Sequence, residues 1–327
     1  MRQPFAALPL LCLALPSDAP RSPVDIKEWP VPWADSRPRD PDVAPDGKIW
    51  FVGQVGNYIA RLDPATAEFK RFELDPGVHP HNLIVDRNGI VWYAGNQASH
   101  IGRLDPADGK VTKYPMPDPA VRDPHTLVFD RNGDIWFTAQ SSNAVGKLTV
   151  ATGAVRLIPV PTPRARPYGI WIDSKNRPWF NEFGTNKLGT VDPVTFELRE
   201  HQLPDAGARG RRIAITSDDR IFYVDYARST LARFDAATGT VEDWPCPGGA
   251  AARPYAMTVD DRDRLWFVET GARPNRLVGF DPKTAEFFGA TDIPSGGGTV
   301  RHMVFHRATR EIWFGTDVNT IGRAKVP

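Results

Sequence analysis

The alternation of apolar and polar residues is clearest between Pro124 and Leu148. Leu127-Val-Phe129 is followed by the polar stretch Asp130-Arg-Asn-Gly-Asp134, then by Ile135-Trp-Phe137. Ser141-Ser-Asn143 and the apolar Ala144-Val-Gly-Lys-Leu148 complete the unit. Apolar runs this short, bounded by Asn, Asp, Gly and Ser, predict strands joined by tight turns. Asn132-Gly133 between two such runs is a hairpin signal, because a two-residue turn of the favoured type places both central residues at positive φ.

The same text recurs along the chain. Aligned on the second strand, the copies centre on Trp50, Trp92, Trp136, Trp179, Phe222, Trp266 and Trp313, at spacings of 42, 44, 43, 43, 44 and 47 residues. A period near forty residues with about four strands per copy predicts a β-propeller. Each copy adds a third strand such as Ile101-Gly-Arg-Leu104, and the first six add an outer strand leading into proline, as in Thr112-Lys-Tyr-Pro115. Proline suits a strand whose outer edge needs no partner. The seventh copy stops after its third strand, whereas Asp25-Ile-Lys-Glu-Trp-Pro30 belongs to no copy. The expected fold is therefore all-β, a single seven-bladed propeller of four-stranded blades over residues 22–327. Its last blade would be completed by the N-terminal strand.

Met1-Arg2 and the apolar run Phe5–Leu15 read as a signal peptide over residues 1–20, which predicts export to the periplasm or medium. No other run approaches membrane length. The 40 basic and 39 acidic residues leave a formal charge of +1, which provides no electrostatic basis for binding nucleic acid. With Cys12 in the leader, Cys246 stands alone, so neither a disulfide framework nor a cysteine metal site is expected. A monomer is expected.

In a propeller the first strand of each blade lines the central channel, and its start shares a mouth with the end of the second strand. At the first position the chain carries Pro41-Asp42, Pro80-His81, Pro124-His125, Pro167-Tyr168, Arg211-Arg212, Pro254-Tyr255 and Arg301-His302. At the second it carries Gln54, Asn96, Gln140, Glu182, Asp225, Glu269 and Asp317. These positions vary while the rest of the blade repeats. His81, His125 and His302 read as equivalent residues suited to proton transfer, with carboxylates able to orient them or hold a hard cation.

The repeated Pro-His-x-Leu…Asn-Gly-Asp-Ile-Trp-Phe…Asn-Ala-Val-Gly-Lys-Leu text resembles the streptogramin B lyase (virginiamycin B lyase) family over residues 25–327. That resemblance implies elimination of an ester in a cyclic depsipeptide with the help of Mg2+. It implies a blade-six histidine, a blade-seven Glu-Pro-His and a glutamate past the blade-seven Trp. Carried over, His302 keeps one histidine and Asp317 the acid, while Tyr255 replaces the other histidine and Val300-Arg301 the Glu-Pro pair.

The residues expected to act on substrate are thus His302 and Tyr255. His81 and His125 form a second candidate pair, rotated around the ring and flanked by Asp123 and Gln140. Tyr168, Arg212 and Arg301 are expected to bind substrate, and Asp317, Glu269, Asp225 and Glu182 to hold the metal. The partner implied is a small ester or lactone at the channel mouth. Two alternatives remain open, a non-catalytic binding propeller and a metal-dependent lactone hydrolase of the gluconolactonase type. A cation held by Asp317, Glu269 or Asp225 beside His302 would favour an enzyme, and a cation-free mouth with an Arg212–Glu or Arg301–Asp lattice would favour binding.

Overall fold

The computed structural model describes residues 23–327, so the leader reading lies outside the described residues. Seven four-stranded antiparallel sheets surround a channel, and in six of them the strands follow chain order from the axis outward. Blade three is representative: Pro124–Phe129, Ile135–Ala139, Ala144–Thr149 and Ala154–Pro159. In blade seven Asp25–Pro30 pairs antiparallel with Thr320–Lys325, outside Glu311–Gly315 and Met303–His306. The N-terminal strand therefore closes the ring, as the unassigned stretch and the missing outer strand required.

The aromatic residue of each second strand is packed between blades. Trp50, Trp92, Trp136, Trp179, Phe222, Trp266 and Trp313 are all at most 2% exposed. Each such ring contributes about 3–5 kcal/mol relative to alanine. In blades two, four and six an aspartate at the end of the first strand ties ring and turn together. Asp260 accepts the Trp266 indole N–H at 2.9 Å and the backbone N–H groups of Arg262 and Arg264 at 2.9 and 3.0 Å.

That capping decides the turn geometry. At Asp130–Asp134 only Gly133 has positive φ (85°), while Asp130 accepts the N–H groups of Asn132 and Asp134. The loop closed by Asp130 and Asp134 is one residue longer than the two-residue hairpin expected from Asn-Gly, with a single left-handed residue before the second strand. The equivalent positive-φ residues are Gly47, Gly89, Asn176, Asp219, Asp263 and Arg310. Five of these six are residue types that tolerate this region.

Pairing also fixes the frame of each first strand. Pro38 faces Gly53 just as Pro80 faces Gly95 and Pro124 faces Ala139. The blade-one mouth therefore begins at Pro38-Arg39-Asp40, not at Pro41-Asp42. In blade seven Met303 faces Phe314, the register in which Leu127 faces Phe137. Arg301 is thus the counterpart of His125, and His302 lies one residue further along. The cause is the turn between His306 and Glu311, which is one residue longer than its equivalents, so counting back from Trp313 shifts the frame.

Candidate active site at the channel mouth

In blades one to six the pairing slips near the start of the first strand, forming a β-bulge. A bulge breaks the strict alternation of side chains and re-aims them. Two consecutive residues per strand consequently serve the channel. The outer ring contains Arg39, His81, His125, Tyr168, Arg211, Tyr255 and Arg301. The next contains Asp40, Asn82, Thr126, Gly169, Arg212, Ala256 and His302. Gly169 is required there, since a Cβ would lie 2.9 Å from the Arg211 carbonyl oxygen and the Arg212 Cα.

Arg212 crosses the channel and closes it. From blade five its Nε donates to the Arg301 carbonyl at 3.0 Å, its Nη1 to Thr126 Oγ1 at 3.2 Å, and its Nη2 lies 3.7 Å from Asp40. Asp40 also accepts from Arg39 Nε at 3.1 Å and Asn82 Nδ2 at 3.0 Å. Burial opposes the Asp40 charge, but Arg39, His302, Arg212 and Asn82 outweigh it, so its pKa falls well below the carboxylate range.

Above this floor the aromatic side chains step around the wall. The His81 and His125 rings lie 3.6 Å apart, the Tyr168 ring is 4.4 Å from His125, and the Tyr168 and Tyr255 hydroxyls hydrogen-bond to each other. Burial holds His81, His125 and His302 neutral, His302 at a pKa of about 4 despite the nearby Asp40. Burial also raises the Tyr255 phenol, yet Arg211, Arg212, Arg39 and Arg301 together prevail and lower it. Tyr168, buried beside Tyr255, is raised. Arg211 sits among Tyr255, Tyr226, Phe183 and Tyr168, at 3.6, 4.3, 4.8 and 5.4 Å from their ring centroids.

Several expected site residues turn elsewhere. Asp123 accepts the backbone N–H groups of Ser141 and Ser142, so it organises a loop instead of serving His125. Asp225 accepts from the N–H groups of Arg209, Ala227 and Arg228, and Glu269 from that of Gly248. Glu182 bonds Thr185. These three acids directly face the start of the third strand, where the facing residues are Thr230, Arg276 and Lys187. In blades one and two the same pair is Gly53 with Tyr58 and Gly95 with His100, and a Cβ on either glycine would overlap the facing ring. The acid-rich side of the ring thus reflects an exchange of volume within each blade.

The mouth-facing residue is the next one along. Gln54 accepts from Arg39 at 2.9 Å, Phe183 and Tyr226 flank Arg211, and Asp317 pairs with Arg301 and, at 3.5 Å, with Arg37. Gln140 occupies this position in blade three, half-buried. Asp317 is therefore partnered by Arg301 and not by His302. Arg39, Asp40 and the Phe183–Tyr226 pair escaped the sequence reading. Proline twelve residues before Trp50, as before Trp92 and Trp136, was the available signal for the first two.

A model described as the virginiamycin B lyase family matches residues 24–324. The chain belongs to that family. A solved streptogramin B lyase is 28% identical, with 93% of this chain and 98% of that one covered at a TM-score of 0.83. The virginiamycin B lyase of Staphylococcus aureus is 24% identical, with 93% and 100% covered and the same TM-score. A Kuenenia stuttgartiensis hydrazine synthase chain, 13% identical, shares the fold alone, at a TM-score of 0.72 over 90% and 97% of the two chains. A search of the curated proteins finds no match.

Placed on the virginiamycin B lyase motif in the structural frame, blade six offers Tyr255 and blade seven offers Arg301 where the resemblance implies histidines. The Glu-Pro pair before the second corresponds to Thr299-Val300. The implied Mg2+ does not fit this donor set. A hard cation wants several carboxylate or carbonyl oxygens. Asp40 is occupied by two arginines and Asn82, Asp317 by two arginines, and the other three expected ligands face their own loops. Among the described residues no group of three or more His, Cys, Asp or Glu side chains converges on a metal position.

Proposed function

We propose that this member of the virginiamycin B lyase family is an exported, monomeric carbon–oxygen lyase. It opens an ester-containing small molecule by β-elimination at the channel mouth, with Tyr255 as the proton acceptor. The observation that carries this reading is the placement of Tyr255: its hydroxyl is tied to Tyr168, and the Arg211, Arg301 and Arg212 guanidinium carbons lie 3.6, 5.9 and 6.0 Å from its ring centroid. A phenol among cations is easier to ionise, and a base whose pKa approaches the working pH is effective.

Ionised Tyr255 would take a proton from the carbon α to a substrate carbonyl. The C–H electron pair becomes the new C=C bond, the β C–O bond breaks, and its electron pair leaves with the ester carboxylate. No water is consumed. Arg211 and Arg301 would neutralise the charge developing on the carbonyl oxygen and on the departing carboxylate. Tyr168 would hold the phenolate by a hydrogen bond.

The test is a panel of depsipeptides and lactones, followed by ultraviolet absorbance of the conjugated alkene and by product mass in 18O water. Elimination without label incorporation, undiminished by chelator and reduced about 10²–10⁴-fold in Tyr255→Phe, is expected. Incorporated label, or full turnover by Tyr255→Phe, refutes the mechanism. A second reading, ligand binding without turnover, draws support from the Arg301–Asp317 pair, which fills a position where the resemblance implies a catalytic histidine. Binding with no turnover across the panel would select it.

A further inference from the structure

The charge at this mouth is unbalanced. Five guanidinium groups, those of Arg37, Arg39, Arg211, Arg212 and Arg301, gather around two carboxylates, those of Asp40 and Asp317. The three histidines add no charge near neutral pH. The whole chain is almost neutral, with 40 basic against 39 acidic residues, so the excess is local. Arg39 and Arg212 are only 5% and 3% exposed, which removes water as a screen for their charge. Three guanidinium nitrogens, Arg39 Nη2, Arg211 Nε and Arg212 Nη2, are buried without a hydrogen-bond partner. Buried charged donors are ordinarily matched by an acceptor.

We infer that the mouth is an oxyanion receptor: the ligand carries a carboxylate or phosphate group that bridges Arg211 and Arg301 above the Tyr255 ring. These two arginines keep some exposure, whereas Arg39, in the same ring, and Arg212, in the ring below, are buried and supply field. A groove of about 390 Å3, lined by Ser36, Arg37, Val55 and Asp317, opens beside the Arg301–Asp317 pair and gives the rest of the ligand room. Other open space lies away from these groups, for example a groove of about 350 Å3 between blades one and two lined by Trp50, Arg61 and Asn88. Planar guanidiniums bind carboxylate and phosphate in a bidentate manner, and stacking on aromatic rings leaves their N–H edges free. Arg211, flanked by four rings, is held in that state. The inference names the ligand class of the proposed lyase site, and it rests on that reading only for the statement that the bound molecule is also the one turned over.

The experiment is calorimetric titration of the leaderless chain at constant ionic strength with sodium benzoate, a dicarboxylate such as succinate, and inorganic phosphate. Magnesium chloride forms a separate arm. Saturable binding of at least one anion, weakened about tenfold or more in both Arg211→Gln and Arg301→Gln, is expected. Arg131→Gln, on an exposed turn at the other end of the channel, should leave affinity unchanged. Preference for benzoate or succinate identifies a carboxylate ligand, and preference for phosphate a phosphorylated one. Near-UV circular dichroism verifies the fold of each variant. If both glutamine variants lose the fold, Arg301→Lys and Arg211→Lys replace them, with weakened binding again expected because the fork geometry is lost. Absence of saturable anion binding, binding indifferent to these arginines, or magnesium binding lost in Asp317→Asn would overturn the inference. Because no readout involves turnover, failure of the elimination mechanism leaves this result standing, and the reverse also holds.

Discussion

Arg212→Met tests whether the floor of the channel is held together or merely crowded. The substitution keeps most of the aliphatic stem but removes two hydrogen bonds, to Arg301 O and Thr126 Oγ1, and the 3.7 Å approach to Asp40. Deleting one partner of a buried ionic network leaves the remaining groups undersolvated, at a cost of about 3–5 kcal/mol. Asp40 retains Arg39 and Asn82, so the lower end applies, about 3 kcal/mol. An opposing effect is relief of repulsion, because Arg212 is one of five cations in the cluster. With three connections from blade five to blades one, three and seven, the lost contacts should dominate. For a domain of this size 1 kcal/mol corresponds to roughly 2 °C, so Tm should fall by about 6 °C. The assay is scanning calorimetry in low and high salt, since screening weakens repulsion more than it weakens buried hydrogen bonds. An unchanged or raised Tm would show that repulsion governs the cluster and would refute the account of Arg212 as the tie across the channel.

Glu182→Gln tests the acid-rich side of the ring. Burial and the neighbouring Glu200 raise the folded pKa of Glu182 to about 7. The folded state thus retains a proton that the unfolded chain releases near pH 4.5. Its contribution is fully present below that value and is lost as pH rises through 7. The glutamine variant should match the parent at pH 4.5 and exceed it in denaturation midpoint at pH 8, and equal midpoints at both would contradict this. Removing residues 23–33 deletes the strand that pairs with Thr320–Lys325 and leaves that strand's edge open. Light scattering should then show concentration-dependent association, whereas a monomer of unchanged stability would argue against closure by this strand.

The blades were legible because their determinant is local and repeated. A buried ring at a fixed place recurs in every copy, and an Asp-led turn and a third-strand glycine under an aromatic ring recur in most, all of them short-range signals. The site was less legible for two physical reasons. The bulge adds a residue to the first strand, so alternate counting assigns one channel residue where there are two. Asn82 and Thr126 therefore passed unnoticed beside His81 and His125, while Arg39 and Asp40 were hidden by the Pro41-Asp42 pair that the chain offers just after them. An insertion of one residue in the turn after His306 moved His302 into apparent equivalence with His125. The acids at Glu182, Asp225 and Glu269 carried the chemistry expected of metal ligands. Their direction depends on what the third strand places opposite, a long-range fact that spacing from Trp does not contain.

The closure of the last blade has a kinetic consequence. Six blades can form from contacts within one copy and its predecessor, as each stretch of chain becomes available. The seventh cannot, because Glu28 meets Thr320 and Ser295 only after almost the whole chain exists. Until then the first strand must remain uncommitted while six sheets assemble behind it. Joining segments so distant in sequence is the slow event expected of a high-contact-order topology. The ring should therefore fold as an open arc that snaps shut last, and the channel floor, which spans blades one, three, five and seven, would acquire its shape only at that moment.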